Sequence, residues 1–255
     1  MTRAVSAEAL IAELGAALPE QGAAALAFDG DGTLWWGDVS EDVLSFANAE
    51  GLLREEARPA LVEAAEAHGV SSEGSASALA ARIFEAYLDR RYPEREVCEM
   101  MTWCYAGYSL AELGPLVREA FARRDLDERV NTSLSPVIQW ARGHGLRTVI
   151  VSASPHFIVE QAARLWGIGA SDIAASRAVL DGDRLAPRMH GEVPYAEHKP
   201  LAGRALIGDA AWLASFGDSA FDIEMLRAAR IGVAVRPRAD LVDHMHAHPE
   251  LLLFE

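Results

Sequence analysis

Two carboxylates stand two residues apart where the apolar run Leu26-Ala27-Phe28 ends, in the stretch Asp29-Gly30-Asp31-Gly32-Thr33. In extended backbone, residues i and i+2 project to the same side, so Asp29 and Asp31 can flank one small group. Polar residues accompany later apolar runs in the same way. Ser152 closes "TVIVS", Asp218 follows "LASFG" with Asp222 behind it, and Lys199 lies between them in "AEHKP". Carboxylate oxygens suit a hard divalent cation such as Mg2+. A lysine and a hydroxyl suit a phosphoryl group, and glycines admit close backbone approach. Together these residue types predict one phosphoryl-transfer site. Singly, each has a plainer reading, since Asp-Gly marks turns and a lone serine or lysine is usually a solvated surface group. A calcium loop starting at Asp29 fails in register: its sixth position is Leu34 in place of glycine, and its twelfth is Ser40 in place of glutamate.

The elements that must hold these residues are legible as a change of pattern along the chain. "AAALAF" is a short apolar run of the kind found in buried strands, and Asp29 falls where it ends. From Val39 to Val130 the pattern becomes helical, with apolar residues three and four apart in "EDVLSFANAEGLL", "ALVEAAEAH", "SALAARIFEAYLDRR" and "LAELGPLVREAFARR". After it, "RTVIVSAS", "DIAAS", "WLASFGD" and "IGVAV" alternate with the helical stretches "HFIVEQAARLWG" and "FDIEMLRAAR". The fold expected is α/β: a Rossmann-like, mostly parallel sheet with helices on both faces. Residues 1–38 and 131–255 form its core domain, and a helical cap domain, 39–130, is inserted after the first core strand. "SRAVLDGDRLAPRM" predicts a hairpin, and the N-terminal stretch a short amphipathic helix. In such sheets ligands bind beyond the carboxyl ends of the strands, which is where the polar residues fall.

Composition narrows the partners. With 38 acidic against 23 basic residues the net charge is −15, which opposes nucleic acid and anionic membrane surfaces. The two cysteines, Cys98 and Cys104, are too few for a disulfide framework or a thiolate zinc site and read as free thiols. No apolar stretch, the terminal "LLLF" included, reaches the roughly 20 residues of a membrane span, and the expected location is cytoplasmic. The oligomeric state is not encoded in any visible pattern.

"FDGDGTL", then "VIVS", then a lysine, then "GDSAFD", each tied to an apolar run, resemble the four motifs of the haloacid dehalogenase superfamily of phosphohydrolases. "VIVSASPHFIVEQAARLWGI" and "IGVAVRP" resemble its phosphoserine phosphatase branch, over residues 23–38 and 135–237. The resemblance implies Mg2+-dependent hydrolysis of a small phosphorylated metabolite through an aspartyl-phosphate. Asp29 is then the nucleophile. Asp31 protonates the leaving alcohol and later activates water. Ser152 donates to the phosphate, Lys199 screens charge, and the backbone at Gly30 and Ala153 approaches the phosphoryl oxygens. Asp218 joins Asp29 and the Asp31 carbonyl around the metal, with Asp222 directly behind or bound through water.

For the substrate, Asp38 matches the place of a glutamate that meets the amino group of phosphoserine. Arg91, in "FEAYLDRR", matches a carboxylate-binding stretch, although a surface arginine on an amphipathic helix explains it equally well. Where the branch has two glycines after the serine, this chain has Ala153-Ser154. The aromatics Trp35, Trp36, Trp103, Tyr105 and Tyr108 are either core or the lining of a cation box completed by Asp38. Phosphonate cleavage needs a cap lysine, and residues 39–130 contain none. Transfer to another alcohol, and a receiver-like phospho-aspartate switch, are the remaining alternatives.

Overall fold

The structure, a computed structural model, describes residues 3–254. It opens with β1 (Arg3–Val5), α1 (Ala7–Ala16) and β2 (Ala24–Phe28). Five helices follow: α2 (Val39–Ala49), α3 (Arg58–Ala67), α4 (Ala76–Leu88), α5 (Glu94–Trp103) and α6 (Leu110–Arg123). After α7 (Ser135–Gly143) come β3 (Arg147–Pro155), α8 (His156–Ala163), β4 (Ile173–Ser176), β5 (Ala178–Asp181) and β6 (Arg184–Met189). The chain continues through α9 (His198–Ile207), β7 (Ala211–Gly217), α10 (Ile223–Ala228), β8 (Ile231–Val235), α11 (Ala239–Met245) and β9 (Leu252–Phe254).

Seven strands form one sheet in the order β1-β9-β8-β7-β2-β3-β4, and every pairing in it is parallel. Parallel strands are covered on both faces, which explains why β2 reads as an unbroken apolar run and is wholly buried. Its residues divide by parity. Leu26 and Phe28 join the larger core, where Phe28 stacks on Phe216 with ring centroids 4.2 Å apart. Ala25 and Ala27 face the opposite core, with Val149, Val151, Ile207 and Met225. The chain leaves β2 toward β3 and β4 on one side and returns through β7, β8 and β9 on the other. The order therefore reverses beside β2, the place where open α/β sheets form a ligand crevice.

Helices α2 to α6 occupy the chain between β2 and β3. The strands of chain entering and leaving this insertion pair with each other: Trp36 N–H donates to the Arg129 carbonyl at 2.8 Å, and Asn131 N–H to the Leu34 carbonyl at 2.9 Å. The Arg129 guanidinium adds bonds to the Trp36 carbonyl and the Asp42 carboxylate. Two elements exceed the sequence reading. "LLLF" supplies β9, and β1 precedes the expected N-terminal helix; each has three residues, too few for an alternating pattern to show. The expected hairpin is β5 and β6, paired antiparallel. Both cysteines are free, Cys104 buried and Cys98 half-buried. Among the described residues no helix is long and apolar enough to cross a membrane.

Candidate active site

The carboxyl ends of β2, β3 and β7 bring Asp29, Ser152 and Asp218 together, and the first turn of α9 adds Lys199. Lys199, the chain's single lysine, is buried, and its Nζ donates to Asp29 Oδ1 at 2.6 Å and to Asp222 Oδ1 at 2.5 Å. The two carboxylates keep this ammonium firmly charged despite its burial. Burial pushes the Asp29 carboxyl up to about 7, opposed by Lys199. Asp218 is raised by burial and by the neighbouring Asp29 and Asp222 charges to about 8.

Asp29, Asp218 and Asp222 each offer an oxygen within 4.8 Å of the others. Their hydrogen bonds separate them. Asp222 is fully committed: Oδ1 accepts from Lys199, and Oδ2 accepts from the Asp218 N–H, the Ser219 N–H and the Ser219 hydroxyl. Three of these four bonds fall on Oδ2, and the resemblance gives Asp222 a place directly behind the metal or bound through water. Asp222 holds Lys199 and the loop that presents Asp218. The Asp218 carboxylate, by contrast, accepts no hydrogen bond among the described residues and lies against Gly32. Three buried carboxylates facing one ammonium leave negative charge in excess, and hard oxygens at Asp29 and Asp218 suit Mg2+. The residues fit that ion.

Gly32 is what lets Asp218 sit there. Its φ is +80°, and a Cβ on it would lie 2.2 Å from Asp218 Oδ2. Gly32→Ala is expected to displace that carboxylate and weaken Mg2+ binding about 10- to 100-fold, the usual penalty for disturbing a ligand's support. Calorimetric titration with Mg2+ measures this, and an unchanged affinity would detach Asp218 from the metal.

Asp31 is held by its neighbours on both oxygens. Oδ1 accepts from Trp35 Nε1 at 2.7 Å and from the Val39 N–H at 2.8 Å, while Oδ2 accepts from the Ser154 hydroxyl at 2.7 Å. Burial, then the charges of Asp38 and Asp29, push its carboxyl well above the usual range against these bonds. Ser152 is buried, and its Oγ accepts the Ser154 N–H at 3.1 Å, which leaves its hydroxyl proton free for a ligand. Ser176 fixes the strand beyond it by donating to the Ala153 carbonyl at 2.7 Å. Gly30 is buried, its N–H lies against the Asp29 carboxylate, and a Cβ on it would meet the Trp35 ring at 2.7 Å.

The sequence reading missed Trp35 and Ser154 as supports of Asp31. The Asp-x-x-x-Trp spacing and the serine in place of a glycine were the available signals. The aromatics settle as core for Trp35, Trp103 and Tyr105, which are buried; Trp36 lies under Arg236, and Tyr108 under Arg54.

Asp38 and Arg91 part company. Asp38 caps α2, its Oδ1 accepting from the Ser40 and Glu41 N–H groups and the Ser40 hydroxyl, and it remains within electrostatic reach of Asp31. Arg91 is not brought to the site. Its side chain is 57% exposed and pairs with Asp89, because the α4–α5 turn carries it outward. In its place the fold supplies two acids and an arginine. Glu41, Glu94 and Asp38 feel one another, Arg238 feels both glutamates and Asp218, and the Arg238 N–H donates to the Asp218 carbonyl at 2.8 Å.

Burial and the Asp38 and Asp42 charges raise Glu41 to about 7. A carboxyl raised on folding contributes stability while protonated and loses it as pH climbs from its unfolded value toward 7. Glu41→Gln is therefore expected to raise the thermal midpoint at pH 8 and leave it nearly unchanged at pH 4, where the carboxyl is protonated in both states. With the partial exposure of Glu41 discounted, the gain is about 1 kcal/mol, or roughly 2–4 °C by scanning fluorimetry.

A family model described as haloacid dehalogenase-like hydrolase matches residues 26–227, most of the chain and every residue of this cluster. The chain belongs to the haloacid dehalogenase-like hydrolases. Solved structures carry the same fold at low identity. A protein of unknown function from Bordetella pertussis Tohama I is 19% identical, with 92% of this chain and 99% of that one aligned and a TM-score of 0.72. A functionally unknown protein from Anaerococcus prevotii DSM 20548 is 16% identical over 99% and 92%, also at 0.72. A substrate-bound phosphoserine phosphatase is 15% identical over 92% and 94%, at 0.56. Comparison with curated proteins finds no match. As in open α/β sheets generally, the polar cluster sits where strand order reverses.

Proposed function

We propose that this hydrolase is a phosphomonoesterase working through an aspartyl-phosphate at Asp29. The observation that carries the reading is the contrast between two neighbouring aspartates: Asp29 is ion-paired to Lys199, while Asp31 is half-buried, has no cation beside it, and has its carboxyl raised well above the usual range. Asp29 attacks phosphorus, the ester P–O bond breaks, and the Asp31 proton passes to the departing alkoxide oxygen. Water then attacks phosphorus, Asp31 takes its proton, and the bond to Asp29 breaks to release phosphate. Ser152 and Lys199 steady the phosphoryl oxygens. Asp29 and Asp218 would hold Mg2+, which would supply charge neutralisation between nucleophile and ester.

The surroundings favour an alcohol that carries an ammonium group. Glu41 makes no ion pair among the described residues, Asp38 has one oxygen beyond its capping bonds, and Glu94 adds a third acid. With Arg91 paired to Asp89 at the surface, Arg238, an exposed residue whose charge reaches Glu41, Glu94 and Asp218, is the guanidinium we assign to a substrate carboxylate. O-Phosphoserine is the leading substrate, and the solved structure of a phosphoserine phosphatase supports it through the shared fold.

The test is phosphate release from O-phosphoserine, phosphoethanolamine and 4-nitrophenyl phosphate, with Mg2+ and with EDTA. Mg2+-dependent turnover of any of the three supports a phosphatase, and absence of turnover from all three ends that reading. O-Phosphoserine should exceed the aryl ester; if only phosphoethanolamine does, the ammonium site stands and the carboxylate contact of Arg238 falls.

A further inference from the structure

A second cavity, of about 760 Å³, opens between α6, α8 and the β5–β6 hairpin and shares no lining residue with the catalytic cluster. Its volume is that of a small-molecule site. Its apolar lining comes from Phe157, Leu185 and the outward Leu110 and Leu180, which are 50% and 48% exposed. Its charged lining is chiefly cationic. Arg118, Arg164 and Arg177 line it against a single acid, Glu160, in a chain whose net charge is −15. Glu160 lies 3.5 Å from Arg164, while Arg118 and Arg177 make no ion pair among the described residues.

The lining also holds a polar atom without a partner. His156 is 8% exposed and lines the cavity, and its Nε2 makes no hydrogen bond. Burial and the nearby Arg177 hold this imidazole below its usual range. An unsatisfied buried nitrogen costs roughly 1–3 kcal/mol, a cost that a ligand group reaching it would relieve. Guanidinium groups without carboxylate partners, apolar side chains beside them and an open hydrogen-bonding position in the same lining describe a site for an amphipathic anion. Planar carboxylate matches the guanidinium fork.

We infer that this cavity binds a small organic carboxylate, its head at Arg118 and Arg177 and its aliphatic part against Phe157, Leu110, Leu180 and Leu185. The site joins α6 of the helical insertion to α8 and the hairpin of the sheet domain, so occupancy ties the two parts together. A ligand that binds only the folded chain raises its thermal midpoint.

Calorimetry on the full chain with octanoate, octyl phosphate and octylammonium as probes tests the inference. One octanoate per chain is expected, with a raised midpoint and affinity at least about tenfold above octylammonium, a difference of ~1.4 kcal/mol. Arg118→Gln with Arg177→Gln should weaken octanoate about tenfold. Leu180→Asp, at an exposed position that cannot disturb the core, should weaken it as well. Equal binding of octylammonium, or no saturable heat at millimolar octanoate, overturns the site. Tighter binding of octyl phosphate overturns the carboxylate assignment. A dimer in sedimentation that octanoate dissociates also overturns it, by assigning the face to a second copy of the chain.

Discussion

Asp31→Asn is expected to slow steady-state phosphate release by about 10²- to 10⁴-fold, while the first turnover with 4-nitrophenyl phosphate still discharges close to one nitrophenolate per chain. The substitution keeps the shape of the site. The Asn carbonyl oxygen can accept from Trp35 Nε1 and the Val39 N–H as Asp31 Oδ1 does, and its amide can donate to Ser154 Oγ once that hydroxyl turns. What is lost is the proton. Nitrophenolate leaves without protonation, so Asp29 can still be phosphorylated, but no base remains to activate water against the intermediate. Rapid quench with acid-stable trapping of the phosphorylated chain reads the burst. Native steady-state turnover in this variant would remove Asp31 from proton transfer; loss of the burst as well would point to damage at Asp29.

The second large effect falls on stability. Lys199→Met should destabilise the fold by about 3–5 kcal/mol, because it leaves Asp29 and Asp222 buried without their cation. Urea unfolding in EDTA measures it, since added Mg2+ would mask part of the loss by binding the same carboxylates. Adding Asp222→Asn to Lys199→Met should recover some of that stability by removing one uncompensated charge, a coupling that a double-mutant cycle isolates. The recovery is partial, because Oδ2 of Asp222 also holds the Asp218 and Ser219 N–H groups. A Lys199→Met chain as stable as the native one would mean that the ion pairs add nothing net to the fold.

The sheet was legible in the chain wherever strands were long and doubly buried. "AAALAF", "RTVIVS" and "IGVAV" announce themselves by their apolar runs, and Asp29, after the first, and Ser152, which closes the second, lie at the crevice. Three-residue strands at the two chain ends were not legible, since pairing of β9 with β8 and β1 is decided in three dimensions. The same distinction holds in the site. Asp29, Asp31 and Asp218 were readable because each follows an apolar strand, and Lys199 because of its place in order between Ser152 and Asp218. Asp222 was readable as an acid, but the four bonds that commit it depend on how the Asp218–Ser219 loop turns. Arg91 was misplaced because helical spacing says which residues share a face and not which face meets the ligand. Glu41, Glu94 and Arg238 converge from α2, α5 and the loop after β8, and nothing in local spacing joins them.

A buried ammonium held by two carboxylates exchanges its protons slowly with water, and here it belongs to the chain's single lysine. Isotopic labelling of lysine nitrogen therefore places one reporter nucleus at the centre of the site, free of spectral overlap. Its resonance should move when Mg2+, phosphate or a substrate alcohol enters, so successive states of the reaction can be followed by magnetic resonance in the native protein without a single substitution.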